Sequence, residues 1–320
     1  MELAKLYKPG EDRHVGLVGI PLGYGAGKHG SELGVAAIRL AEFLGDRVKG
    51  HIRGLGYELT DHGDIEIVQP DLENEDAQKP KHFKEIVESS ARMAAKLKSI
   101  LGEGHIPVII GGDHSIAAGT FSGIASHFRE QDQDVGLIWF DAHADMNTPE
   151  TSPSGNTHGM PLATLLGYGA REMVELEAFF PKLKPEYLAH IGGRDLDGGE
   201  RELIHKLGIR DQFFTMSDID RRGMNVCVRD AIEIASRAPG GYAVTFDVDI
   251  IDPRFAPGSG TLVRGGITYR EAHLALEMIA EDGGLRSFEI VEVNPMLDRS
   301  NITAKLAGEL ILSALGKLIL

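Results

Sequence analysis

Residues 135–145 read V-G-L-I-W-F-D-A-H-A-D. Six mostly apolar residues run straight into Asp141, His143 and Asp145. The segment has the length and composition of a buried strand, and it ends in three metal-ligand side chains at alternate positions. If the extended path continues, side chains at i, i+2 and i+4 point the same way. Two carboxylates and an imidazole converging at a strand end make a poor core and a good cation site.

Residues 106–110 form a second apolar run that meets G-G-D-H-S at 111–115. Residues 116–128 have the pattern of a helix joining the two runs. Strand, helix, strand is the signature of a parallel sheet. The alternation recurs along the chain. Strands are expected at 14–20, 187–191, 213–215, 242–248 and 288–293, with an edge strand at 64–68. Helices are expected at 34–46, 81–101, 199–207, 225–237, 268–280 and 302–318, and 160–180 reads as largely helical. Residues 69–80 read as a polar loop. The helix at 268 carries a Thr-x-x-Glu capping box, Thr268 with Glu271. With no internal repeat and no composition break, the expected fold class is α/β. It is a single domain over residues 1–320, a three-layer α/β/α arrangement around a mostly parallel sheet of about eight strands.

Composition narrows the function classes. The chain has 320 residues, 42% hydrophobic and 25% charged, as an ordinary soluble protein does. A net charge of −15 opposes nucleic-acid or anionic-membrane partners, which need basic patches. Cys227 is the only cysteine, which excludes a disulfide framework and a thiolate metal site. The first residues lack an apolar signal core, and 306–320 is too short and too charged to span a bilayer. The expected location is cytoplasmic. The loop G-A-G-K-H-G at 25–30 is formally G-x-G-x-x-G. No acidic strand end follows at the spacing a ribose needs, and Lys28 precedes His29 rather than Ser or Thr, so it reads as a rim loop and not a nucleotide cradle.

Ligands in open parallel sheets bind beyond the carboxyl ends of the strands. Three strand ends here carry metal-type residues: His114; Asp141, His143 and Asp145; and Asp247 and Asp249. Two histidines and four aspartates exceed one ordinary zinc site and suit two divalent ions sharing bridging carboxylates. Four aspartates also balance the charge of two dications. Oxygen and imidazole donors without sulfur favour manganese, iron, cobalt, nickel or zinc. Asp113, beside His114, reads as a cap or a partner behind the site.

These motifs carry a resemblance. G-G-D-H-S (111–115), D-A-H-A-D-M-N (141–147) and F-D-V-D-x-x-D-P (246–253) resemble, in order and spacing, the three signatures of the ureohydrolase superfamily, which includes arginase, agmatinase and formiminoglutamase. S-G-N-T-H-G (154–159) and G-G-R-D-L-D (192–197) are similar to arginases in particular. The resemblance implies a hydrolase with two Mn²⁺ ions. His114, Asp141, Asp145 and Asp247 would hold one, and Asp141, His143, Asp247 and Asp249 the other, with Asp141 and Asp247 bridging. It further implies that Asp145 relays a proton, His158 exchanges it with solvent near neutral pH, and Glu292 binds a guanidinium. Asn147, Ser154 and Asn156 would hold the carboxylate of L-arginine, Asp197 its amino group, and Thr261 would stand near the metals. Glu289, three residues from Glu292, falls on the opposite face of its strand and reads as structural.

The activity so implied is hydrolysis of L-arginine to L-ornithine and urea, by a homotrimer or homohexamer. The alternatives are a hydrolase of agmatine or another guanidino compound, and a metal-binding homologue without turnover. Three departures bear on the rim: Gly34-Val35 stands where arginases have Gly-Pro, Leu262 replaces a proline, and Ile250-Ile251 is bulkier than the usual pair.

Overall fold

The computed structural model describes residues 13–70 and 80–318. Its centre is an eight-stranded sheet built from β1 (His14–Ile20), β4 (Glu58–Asp64), β5 (Ile106–Gly111), β6 (Gly136–Phe140), β7 (Leu188–Ile191), β8 (Phe213–Phe214), β9 (Tyr242–Asp247) and β10 (Leu285–Val291). A separate two-stranded hairpin pairs β2 (Glu42–Phe43) with β3 (Asp46–Arg47). The order across the large sheet is β4-β1-β5-β10-β9-β6-β7-β8, and every neighbouring pair is parallel.

Strand residues alternate between two cores, which makes the three layers. Val15, Leu17, Val108, Ile110, Ile138 and Phe140 pack on one side. Val18, Ile20, Ile109, Leu137 and Trp139 pack on the other. Burial on both faces explains why these strands read as continuous apolar runs and not as apolar–polar alternations. The first face is covered by α1 (Gly34–Leu40), α2 (Val48–Gly54), α9 (Met224–Ala235), α10 (Tyr269–Asp282) and α11 (Ile302–Ala314). The second is covered mainly by α3 (Phe83–Gly102), α4 (Ala117–Arg129), α5 (Pro161–Leu165) and α7 (Gly198–Leu207). Short helices α6 (Arg171–Val174) and α8 (Met216–Arg222) lie in the connections. The Thr268–Glu271 capping box forms at the start of α10.

The expected fold class holds, and the differences in detail have local causes. The edge strand is Glu58–Asp64 rather than 64–68. Its residues are mostly exposed or half-buried, so it lacks the apolar run that marks its neighbours. The helix expected over 34–46 stops at Leu40. The chain then reverses through Leu44 and Gly45, both at positive φ (52° and 86°), as a tight hairpin turn requires. The segment 160–180 breaks into α5 and α6 because Gly167 and Gly169 adopt φ of 92° and 114°. Most of the polar loop 69–80 lies outside the described residues.

Candidate metal centre and cleft

The four central strands, β5-β10-β9-β6, deliver the candidate residues to one place. Their ends are level: Ile290 pairs with Ile110, Val291 with Asp247, and Phe140 with Phe246. His114, Glu292, Asp247 and Asp141 therefore emerge side by side.

The expected extended path beyond β6 does not exist. The strand ends at Phe140, and Asp145 adopts a positive φ of 51°. A turn made by Asp141 itself brings the residues together instead, since its Oδ1 accepts from the His143 backbone N–H at 2.7 Å. The same device recurs twice. Asp247 Oδ1 accepts from Asp249 N at 2.7 Å, and Asp113 Oδ1 from Ser115 N at 3.0 Å. Each strand end is closed by an aspartate bonded two residues on, a local preference of this side chain.

Around His114 Nδ1 stand Asp141 Oδ2 and Asp145 Oδ2, both at 3.1 Å, and Asp247 Oδ2 at 3.4 Å. His143 Nδ1 lies 3.3 Å from Asp141 Oδ1 and 3.1 Å from Asp249 Oδ2. His114, Asp141 and Asp145 form one group with metal-ligand spacing; Asp141, His143 and Asp249 form another. Asp141 belongs to both. The carboxylates are fixed from behind: Trp139 Nε1 donates to Asp141 Oδ2 at 3.0 Å, Ala142 N to Asp249 Oδ1 at 3.1 Å, and Thr261 Oγ1 to Asp249 Oδ2 at 2.9 Å.

The donor set fits divalent cations. His114 Nδ1 is buried and makes no aligned hydrogen bond among the described residues, although three carboxylates face it at contact distance. On its other side, Thr245 Oγ1 lies 3.0 Å from His114 Nε2 and donates to Glu289 Oε1 at 2.9 Å. The threonine oxygen thus accepts the Nε2 proton and leaves the Nδ1 lone pair turned toward the aspartates. Without a cation the cluster is electrostatically strained. Burial, followed by the Asp141 charge, pushes Asp145 up to about 6, and burial with Asp249 and Asp141 pushes Asp247 well above the usual range. Burial opposes the charged form of His114, but Asp141, Asp145 and Asp247 outweigh it and raise this histidine far above its ordinary value. A proton or a metal ion answers the same demand. Arg194 does not; its guanidinium donates to the carbonyls of Asp249 (2.7 Å) and Val263 (2.8 Å).

A cleft opens above the cluster, lined by His143, Asp145, Asp247 and Thr261 and by Asn147, Ser154, Asn156, His158 and Asp197. All thirteen candidate residues except His114, Asp141, Asp249 and Glu292 border it directly, and those four lie buried beneath. Glu292 sits just past β10 at a positive φ of 65°, so strand alternation no longer governs its direction. Its Oε1 accepts from His114 N at 2.9 Å and lies 3.0 Å from His158 Nδ1. Burial disfavours a charged His158, but Glu292, helped by Asp113 and Asp145, overrides it and pushes the imidazole up to about 9, above the near-neutral value expected from sequence.

Several contributors escaped the sequence reading. Glu289, expected on the opposite face of its strand, reaches the site through Thr245, and Thr120 Oγ1 donates to its other oxygen at 2.7 Å. Glu200 ties two walls together, accepting from Met146 N at 3.1 Å and Asp197 N at 2.7 Å. The pattern Asp197-x-x-Glu200 was a visible helix-start signal for it. Burial raises Glu200 to about 7, with Asp145 and Asp197 adding to the rise. Lys81 donates to Asn156 Oδ1 at 3.0 Å. The glycine-rich loop is a rim, as expected: Gly25 N donates to Asp113 Oδ2 at 2.7 Å, and His158 N to Gly25 O at 3.2 Å. A Cβ at Gly25 would lie 2.6 Å from Ser115 Oγ and 2.8 Å from Thr157 Oγ1, too close for any other residue.

A family model described as the arginase family matches residues 13–316. The chain belongs to the arginase family. It is therefore a hydrolase of that family, with the metal-capable side-chain groups described above. It is 42% identical over 309 residues to the arginase of Bacillus subtilis (strain 168), covering 97% of this chain and all of that relative. The native arginase structure from Bacillus caldovelox superposes with a TM-score of 0.89 at 39% identity, covering 96% of this chain and all of that one. Arginase from Entamoeba histolytica, solved in complex with L-ornithine, superposes at 0.84 with 29% identity, over 95% of this chain and 99% of that one. Among the described residues, no helix is long and apolar enough to cross a membrane.

Proposed function

We propose that the protein hydrolyses L-arginine to L-ornithine and urea with two divalent ions, manganese by family resemblance, held across Asp141. The observation that carries this reading is the pair of ligand groups sharing Asp141 beneath a polar cleft. His114, Asp145, Asp141 and Asp247 would hold one ion; His143, Asp249, Asp141 and Asp247 the other. When bound, such a pair supplies a water-derived nucleophile near neutral pH and offsets the aspartate charges.

The protein groups do the rest. Among the described residues, both bonds to Glu292 fall on Oε1, which leaves Oε2 to accept from a guanidinium over the cluster. Asp145, which borders the cleft beside the ligand cluster, passes a proton to the departing amine, by resemblance to the family. His158 replaces that proton from solvent; its side chain is 15% exposed at the cleft wall and its Nδ1 is steadied by Glu292. In the outer cleft, Lys81 occupies Asn156 Oδ1 and so turns the amide N–H₂ toward an incoming carboxylate, with Ser154 beside it. Asn147 donates to Asp197 Oδ2 at 2.8 Å and holds that carboxylate for an α-ammonium. A lysine near the carboxylate end favours L-arginine over agmatine, which lacks that group.

The test is urea release from L-arginine and from agmatine by the Mn²⁺-loaded protein, with the amine product identified. Preference for L-arginine with L-ornithine formed is expected. Preference for agmatine would overturn the substrate assignment, and no urea from either would overturn the activity.

A further inference from the structure

A second group of metal-type side chains lies away from the cleft, at the sheet edge. His62 on β4, His105 just before β5 and Glu103 at the C-terminal cap of α3 bring ligand atoms within 4.8 Å of one another. Among the described residues, His62 Nε2 and His105 Nδ1 are buried without a hydrogen-bond partner, although each belongs to a polar ring that ordinarily finds one. The backbone makes room for them. A Cβ at Gly16 on β1 would stand 3.2 Å from His62 Nε2 and 3.3 Å from the Cβ of His105. His14 stacks on His105 at 3.8 Å between ring centroids and is itself fixed by Thr60 Oγ1 at 2.7 Å, so the His105 ring is held in place. The carbonyl end of α3 favours positive charge at this spot.

We propose that His62, His105 and Glu103 form a site for one late first-row divalent ion of the zinc class, separate from the catalytic cleft. Two imidazoles and a carboxylate suit zinc, and zinc commonly completes four-coordination with water. Burial, aided by Lys96 beside His62 and by His14 beside His105, holds both histidines below their ordinary values, so both are neutral at pH 7 and offer lone pairs. One group opposes capture. Lys96 Nζ lies 3.2 Å from His62 Nδ1 and, donating to it, keeps the ring proton on Nε2. Metal binding moves that proton to Nδ1 and turns the ammonium away, so Lys96 sets the affinity. A bound ion would tie edge strand β4 to the end of α3 and stabilise the fold by mass action. This site is independent of the function proposed above.

The experiment uses Mn²⁺-loaded protein equilibrated with Zn²⁺, with bound zinc measured after dialysis and thermal unfolding followed in parallel. Zinc entering the catalytic cleft cancels in comparison with His62→Ala. Wild type is expected to retain one equivalent more than His62→Ala and to gain a zinc-dependent rise in Tm that the variant lacks, with equal urea release before zinc is added. Lys96→Met, a change at a half-buried position, is expected to bind zinc several-fold more tightly than wild type. Equal zinc content in wild type and His62→Ala would overturn the proposal and leave the two nitrogens sharing only a water molecule. Unchanged zinc affinity in Lys96→Met would overturn it as well, even if His62→Ala failed to fold.

Discussion

Asp141 belongs to both ligand-type groups, and protein donors fix its orientation. The His143 amide fixes Oδ1 and the Trp139 indole fixes Oδ2. Asp141→Ala should therefore lose at least one ion per chain and all measurable urea release, checked by metal analysis and turnover on one sample. Trp139→Phe removes only the indole donor. Supporting partners of metal ligands are worth roughly 10–100-fold in metal affinity, so retention should fall by about tenfold with the fold intact. Glu289→Gln tests the same idea from the far side of His114. It weakens the acceptor that orients Thr245, and metal affinity should drop by about 10–100-fold while KM for L-arginine in the metal-saturated enzyme stays near wild type. Lys81→Met acts elsewhere. It should raise KM for L-arginine several-fold and leave agmatine kinetics unchanged, because only L-arginine brings a carboxylate to Asn156.

At the scale of elements, legibility followed burial. The doubly buried strands and the amphipathic helices were readable because apolar runs and helical spacing survive in the sequence. The edge strand Glu58–Asp64 is not legible in the sequence, because nothing on its mostly exposed side chains records that it pairs with β1. The site divides similarly. The ligands stood out because unpaired carboxylates at strand ends have no place in a core. Glu289 did not, because its link to His114 passes through Thr245 on the neighbouring strand, a contact set by sheet order and not by local spacing. Of the departures at the rim, Ile250 is accommodated inside the fold. It packs over Gly192, where φ is 103° and an added Cβ would overlap it. Gly192→Ala should accordingly destabilise the protein by about 1–3 kcal/mol through overpacking and backbone strain, measured by chemical denaturation.

Across the whole molecule, buried neutral histidines shape the response to acid. Burial holds His190 and His273 down at about 4, and each is tied in place, His190 Nε2 by His143 O at 2.6 Å and His273 Nδ1 by Ser313 Oγ at 2.8 Å. The unfolded chain takes up these protons near pH 6.5, the folded chain only near 4. Their contribution to stability is complete above about 6.5 and is lost as pH falls toward 4, at no more than about 1.4 kcal/mol per pH unit for each group. His273→Asn should narrow the loss of stability between pH 7 and pH 5 relative to wild type, as read from denaturation midpoints. Neither histidine lines the open cleft, although His190 is bonded to the backbone of His143 at its floor, and the four central strand ends concentrate the acidic side chains beneath it. That concentration of carboxylates is what a two-ion centre requires. The most direct measurement is the manganese content of dialysed protein with urea release from L-arginine on the same sample. Two ions per chain and turnover that disappears together with them are predicted. Full turnover with a single ion per chain would contradict the account.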